Sequence, residues 1–135
     1  MKELTIAATV ENIGTVTAFV DEQLEALDCP MKAQMQIDVA IDELLGNIAN
    51  YAYGTGKGEV TVRFDFEPDS RTVALTFIDS GIPYDPLAKP DPDVTLAVEK
   101  RSVGGLGIFL VKKTMDDMTY ARQDGHNVLT IRKRI

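Results

Sequence analysis

The sequence predicts an α+β chain folded as a two-layer sandwich, with helices on one face of a mixed, mostly antiparallel sheet. Three observations lead there. Stretches that alternate apolar and polar residues come in pairs joined by short turns, the mark of β-hairpins. Two long segments instead repeat apolar residues every three or four positions, the mark of helices with one buried stripe. Strands and helices do not alternate strictly, as a parallel sheet would require, so the helices gather on one side of hairpin-built strands. The chain has 135 residues, of which 44% are hydrophobic. That length matches one domain of roughly 100–150 residues, so 1–135 is expected to be a single domain with a real core.

The elements follow in order. Lys2 to Thr9 alternates, with Leu4, Ile6 and Ala8 on one face, and reads as a strand. Asn12 is placed to cap a helix whose apolar residues are Val16, Phe19, Val20, Leu24 and Leu27. Asp28-Cys29-Pro30 breaks that helix, and a longer one runs to about Tyr53 on a stripe of Ile37, Ile41, Leu44 and Ile48. Gly54-Thr55-Gly56-Lys57-Gly58 releases the chain into a hairpin. Its strands carry Val60, Val62, Phe64 and Phe66, then Val73, Leu75 and Phe77, across a turn at Pro68-Asp69-Ser70-Arg71. From Asp79 to Gly105 no period is visible and four of the six prolines gather, a stretch too long for a plain connection. A helix from about Leu106 to Met115 and a hairpin of 119–122 with 128–132 complete the order.

Composition excludes several functions. One cysteine, Cys29, and one histidine, His126, leave no multi-cysteine zinc site, His-pair metal site or internal disulfide, and His126 beside Gly125 reads as a turn residue. The net charge of −7 and a pI near 4.6 argue against nucleic acid or an anionic membrane as a partner, since both need a positive field. No apolar run approaches the ~20 residues that span a bilayer, and the start lacks a signal peptide's basic and apolar regions. A cytoplasmic protein is expected. The charge is uneven: residues 1–56 carry 2 basic and 9 acidic side chains, whereas 57–135 balance. Either a solvated acidic helix face or a surface for a basic partner accounts for that.

Three segments have the residue types that chemistry needs. Glu43 and Asn47, four apart on the second helix, lie on one face along the edge of the buried stripe. A carboxylate beside an amide oxygen suits a hard cation and an attacking hydroxyl. Gly46 between them costs ~1 kcal/mol of helix propensity relative to alanine, a hint that something packs closely there. Asp79-Ser80-Gly81-Ile82-Pro83 ends a strand, where a fixed carboxylate can accept from an exocyclic amine and Gly81 can let backbone approach a flat ring. Gly104-Gly105-Leu106-Gly107 opens a helix, where backbone N–H groups can wrap an anion, with Arg101 upstream as a positive charge. Taken singly, each has an ordinary reading: a chance helical pair, a strand exit, a hinge.

Together, in this order and separation, the three segments resemble the N, G1 and G2 boxes of the GHKL ATPase superfamily. The chain as a whole, over roughly residues 1–134, resembles the anti-sigma regulatory factors that are serine-protein kinases of bacterial partner-switching systems. Ala40-Ile41-Asp42-Glu43, the run from Asp79 to Pro86, Gly104 to Val111, Met115-Asp116-Asp117 and Asn127-Val128-Leu129-Thr130 carry that likeness. The resemblance implies a Bergerat-type ATP site between the long helix and a lid, with ATP and Mg²⁺ as cofactors. It implies Asn47 as Mg²⁺ ligand, Glu43 as general base or orienter of a serine hydroxyl, Asp79 as reader of the adenine amine, and Gly81 under the ring. Gly104, Gly105, Leu106 and Gly107 would form the phosphate cradle, with Arg101 as a further phosphate contact.

The same likeness implies a STAS-domain anti-anti-sigma protein as substrate, a sigma factor or similar regulator as the sequestered partner, and a homodimer. Two positions depart from the family pattern. Pro83 stands where many relatives have the second glycine of Asp-x-Gly-x-Gly, and stiffens the turn. Gly125 is followed by His126 and Asn127, where relatives often have a threonine that helps hold the adenine end. The alternative to a kinase is a module that holds nucleotide and sequesters a partner without phosphotransfer. A histidine-kinase catalytic fragment ranks third, for want of a preceding helix with a phospho-accepting histidine.

Overall fold

The computed structural model describes residues 1–54, 56–88 and 105–135, with the side chains of Gly105 and Leu106 excepted. Strand β1 (Lys2–Ala7) leads through a short 3-10 turn (Val10–Asn12) into helix α1 (Ile13–Ala26). Asn12 does not cap α1 with its side chain; its Nδ2 instead donates to the carbonyl of Ala7, 2.9 Å away, and ties the end of β1 to the helix start. Helix α1 stops in a Schellman arrangement. Asp28 takes φ 53°, the Cys29 N–H donates to Leu24 O at 3.1 Å, and the Asp28 N–H donates to Glu25 O at 3.1 Å. Pro30 then starts helix α2 (Met31–Asn47), since it needs no N–H partner there.

The long second helix predicted to reach Tyr53 is two structures in series. At Ile48 the α-helical α2 gives way to a π-helical turn over Ile48–Ala52, and Gly54 at φ 58° ends the run. The strands β2 (Glu59–Glu67) and β3 (Thr72–Asp79) form the expected hairpin, followed by a 3-10 turn at Pro86–Ala88. Helix α3 (Gly105–Thr114), β4 (Asp117–Gln123) and β5 (His126–Arg134) complete the order. Asp124 at φ 51° and Gly125 at φ 80° make the two-residue turn that joins β4 to β5, the backbone hand that tight hairpins need.

The five strands form one sheet in the order β1-β2-β3-β5-β4, and all four pairings are antiparallel. Period-two alternation sends Val60, Val62 and Phe64 of β2, Val73, Leu75 and Phe77 of β3, and Leu129 and Ile131 of β5 to one buried face. The helices close over that face with Val16, Val20 and Leu24 of α1, Ile37, Ile41 and Leu44 of α2, and Ile108 and Val111 of α3. The opposite face is polar, with hydroxyl pairs such as Thr76–Thr130 at 3.2 Å and an Arg63–Glu3 ion pair at 2.6 Å. Among the described residues no helix is long and apolar enough to cross a membrane.

Candidate functional site

The alternation that builds the core also builds the site. Asp79 continues the row Val73, Leu75, Phe77 by one more step, so its carboxylate is forced to the buried face at the end of β3. Register then places Asn127 of β5 directly opposite, at the end of the row Asn127, Leu129, Ile131. Asp79 and Asn127 are the two buried polar side chains among the described residues, each 5% exposed. They answer each other, as buried polar groups must. Asp79 Oδ1 accepts from Asn127 Nδ2 at 3.0 Å and from the Gly81 N–H at 2.9 Å.

Gly81 has a second constraint. A Cβ there would run into the backbone of Ala52 in the π-helical turn, and the neighbouring Ile82 N–H donates to Ala52 O at 2.8 Å. The Cβ side of Gly81 is thus occupied by the protein's own chain. Gly81 allows the segment after β3 to lock onto the end of the long helix. Arg122 of β4 fixes the same segment from the other side, donating from Nη1 to Gly81 O at 2.8 Å.

Between α2, the π-helical turn and the ends of β3 and β5 lies a small open pocket of about 60 Å³. Its wall is mainly apolar, with Leu44, Ile48 and Leu129 at its base and the polar groups Asn47, Asp79 and Asn127 converging on it. Tyr51 and Ile82, also in the lining, are 62% and 60% exposed, so large apolar side chains stand open around it. The break from α-helical to π-helical winding falls immediately after Asn47, and such turns concentrate at functional sites.

Glu43 sits one turn before Asn47 and faces α3 instead. A Cβ on Gly107 would occupy the place of the Glu43 carboxyl group, so glycine at 107 is what lets that carboxylate lie against the first turns of α3. The structure thus brings Glu43 of α2 and Gly107 of α3 into contact, and Asn47 and Asp79 into one pocket. Gly105 and Leu106 lie in the first turn of α3. Arg101 and Gly104 fall outside the described residues. Among the described residues nothing lies within 4 Å of a Cβ built at Gly46, so none of them supplies the close packing expected there. His126 is not in the turn but opens β5, exposed, with Nδ1 2.8 Å from Ser80 Oγ.

Sequence reasoning missed Asn127 as a site residue, though a signal existed: it shares the period-two face of Leu129 and Ile131, where an amide is out of place without a partner. It also missed Tyr120, whose hydroxyl donates to Asn127 Oδ1. Among the described residues no three His, Cys, Asp or Glu side chains gather as a cation cage. A magnesium ion needs no such cage when it arrives on phosphate oxygens with one or two protein ligands, and the side-chain oxygen of Asn47 fits that donor set.

Comparison with known proteins identifies the family and the fold. Residues 6–133 match the family described as "Histidine kinase-like ATPase domain". The chain is 28% identical over 100 residues to the serine/threonine-protein kinase BtrW of Bordetella bronchiseptica, covering 74% of this chain and 70% of that protein. It is 27% identical over 128 residues to the serine-protein kinase RsbW of Bacillus cereus, covering 92% of this chain and 72% of that one. In solved structures, the RsbU and RsbW domains of a Mycobacterium tuberculosis protein superpose with a TM-score of 0.65 at 19% identity. That match takes in 99% of this chain but 32% of the longer one, and shows a shared fold.

Proposed function

The chain belongs to the histidine kinase-like ATPase domain family, and from that premise we propose that it is an ATP- and Mg²⁺-dependent protein-serine kinase of a bacterial partner-switching system. One observation carries this reading most directly. Asp79 is a carboxylate buried at the end of an apolar row, with one oxygen held by two donors, in the wall of a pocket that Asn47 also lines. A fixed acceptor in an apolar slot, with a cation ligand at its edge, suits a purine base continuing into phosphates. Relatives named as serine-protein kinases add to it.

In this reading Asp79 accepts the exocyclic amine of adenine, and the apolar wall of Leu44, Ile48 and Leu129 takes the ring. Asn47 offers its amide oxygen to the metal, and the amides at the start of α3, from Gly105 to Gly107, face the phosphates. Arg101 and Gly104 extend that cradle. Glu43 orients the incoming serine hydroxyl and accepts its proton. Bound Mg·ATP supplies the transferable phosphoryl group and the countercharge; positioning and charge neutralisation do most of the remaining work. The substrate is a STAS-domain anti-anti-sigma protein, and a sigma factor or similar regulator is the partner held in competition. The protein acts in the cytoplasm as a single domain that pairs into a homodimer.

Incubation with labelled ATP, Mg²⁺ and the STAS protein encoded nearest to its gene tests the reading. Label on a serine of that protein is expected. Tight association without label would replace the kinase by a sequestering module. Glu43→Ala is expected to keep ATP binding and to lower transfer by a factor of about 10²–10⁴, the usual share of a general base. Transfer at the wild-type rate would remove Glu43 from that role.

A further inference from the structure

Asn127 is saturated. Its Nδ2 donates to Asp79 Oδ1 at 3.0 Å and to the carbonyl of Ile82 at 2.8 Å. Its Oδ1 accepts from the Tyr84 N–H at 3.3 Å and from the Tyr120 hydroxyl. Two donors and two acceptors are the whole capacity of a side-chain amide, so nothing remains with which Asn127 could read a ligand. Nor can the amide be turned over. Reversal would set its oxygen against a carboxylate and a carbonyl, and its NH₂ against the Tyr84 N–H.

The consequence falls on Asp79. Its Oδ1 is held from two sides, by Asn127 and by the Gly81 N–H. Rotation of the carboxylate is arrested, and Oδ2, which has no hydrogen bond among the described residues, is the acceptor left for the pocket. Held in that way, Asp79 favours a base with an amino group at position 6. A purine with a carbonyl there would set acceptor against acceptor. Ile82 O and Tyr84 N, on either side of Pro83, are pinned by the same amide, so the stiffened turn and the carboxylate are aligned by one side chain.

We propose that Asn127 is the positioning residue for base recognition: it turns Asp79 toward 6-amino purines and away from 6-oxo purines, and Tyr120 holds Asn127 in the orientation this requires. The proposal deepens the nucleotide reading given above and rests on it.

The test is calorimetric titration of the full chain with ADP and with inosine diphosphate, in magnesium, at pH 8 and at pH 5.5. The wild type is expected to bind ADP at least about tenfold tighter than inosine diphosphate at both pH values, a ratio that one misplaced buried hydrogen bond accounts for. Absence of ADP binding by the wild type would overturn the nucleotide reading itself, which separates that failure from failure of the inference. Asn127→Asp keeps the shape and the acceptor oxygen but sets a second carboxylate against Asp79. The charged and titratable groups around it are Asp79 of β3, Tyr120 and Arg122 of β4, Tyr84 beyond β3, and His126 next to it in β5.

Like charges so close favour uptake of one shared proton. At pH 8 Asn127→Asp is expected to lose at least about tenfold in ADP affinity, because the donor to Asp79 is gone. At pH 5.5 the shared proton restores a donor, and most of the affinity is expected to return. An unfolded protein would not bind better in acid. ADP affinity equal to wild type at pH 8, or a loss that acid does not relieve, would overturn the proposal. Tyr120→Phe, which removes only a hydroxyl, is expected to narrow the ADP preference severalfold. An unchanged preference would overturn the role given to Tyr120.

Discussion

A single methyl group added at position 107 would claim the space of the Glu43 carboxylate. Gly107 was expected to serve the phosphates through its backbone N–H; the structure adds a steric reason for glycine that sequence spacing does not reveal. Gly107→Ala must therefore displace either Glu43 or the start of α3. Overpacking of this kind costs about 1–3 kcal/mol, so a fall of several degrees in Tm is expected, along with at least a tenfold loss of phosphotransfer. Wild-type transfer by Gly107→Ala would show that the Glu43–Gly107 contact does not matter to the chemistry. Asn47 makes a different kind of prediction. It lines the pocket from the last turn of α2 without belonging to the core. Asn47→Ala is expected to abolish Mg²⁺-dependent ATP binding while leaving Tm within about 1 °C, since surface changes away from special features fall within ±0.5 kcal/mol. Unchanged ATP affinity by calorimetry would contradict the metal role.

At the scale of elements, helices α1 and α2 contain the chain's least expected electrostatics. The acidic first half was read as a solvated helix face or a partner surface, but Asp21 of α1 and Asp38 of α2 turn toward one another. Each has an Oδ1 shielded from water that no donor among the described residues meets. Burial first, then the hydrogen bond to Asp21 and its negative charge, push the Asp38 carboxyl up to about 7 from 3.8. The folded state therefore holds a proton that the unfolded chain releases near pH 4, and stability falls as pH rises from about 4 to about 7. Asp38→Asn keeps an NH₂ donor for Asp21 with no proton to lose. Its Tm is expected to exceed wild type at pH 8 and to lie close to it at pH 4.5, by scanning calorimetry. An equal difference at both pH values would mean that the two carboxyls do not share a proton. The elements themselves were legible where periodicity was long. The strands of the two hairpins, the α1 stripe and the break at Asp28-Cys29-Pro30 all follow from side-chain spacing and turn chemistry. The π-helical turn at Ile48–Ala52 was not, because a change of winding leaves the residue types of a helix in place. The Asp21–Asp38 pair was not either: the packing of one helix on another decides which polar residues meet, and composition does not encode it.

For the whole molecule, the sheet organises everything else. Its buried face accepts three helices; its row ends supply Asp79 and Asn127; its order, with β5 between β3 and β4, makes those two residues neighbours. The layered fold was readable from the hairpins and helical stripes. The candidate site could be proposed from sequence only as a set of three segments, since each alone is commonplace. Asn127 and Tyr120 escaped because a residue's partner across a sheet depends on strand order, which no local pattern carries. In the proposed reading, an adenine nucleotide with magnesium occupies the pocket bounded by Asn47 and Asp79. The decisive experiment is calorimetric titration of ATP into the protein with Mg²⁺ present. One-to-one binding, with a Kd between about 1 μM and 1 mM, the range in which enzymes commonly hold their substrates, and its loss in Asp79→Asn are predicted. Heat no greater than dilution at millimolar ATP, or undiminished binding by Asp79→Asn, would contradict it.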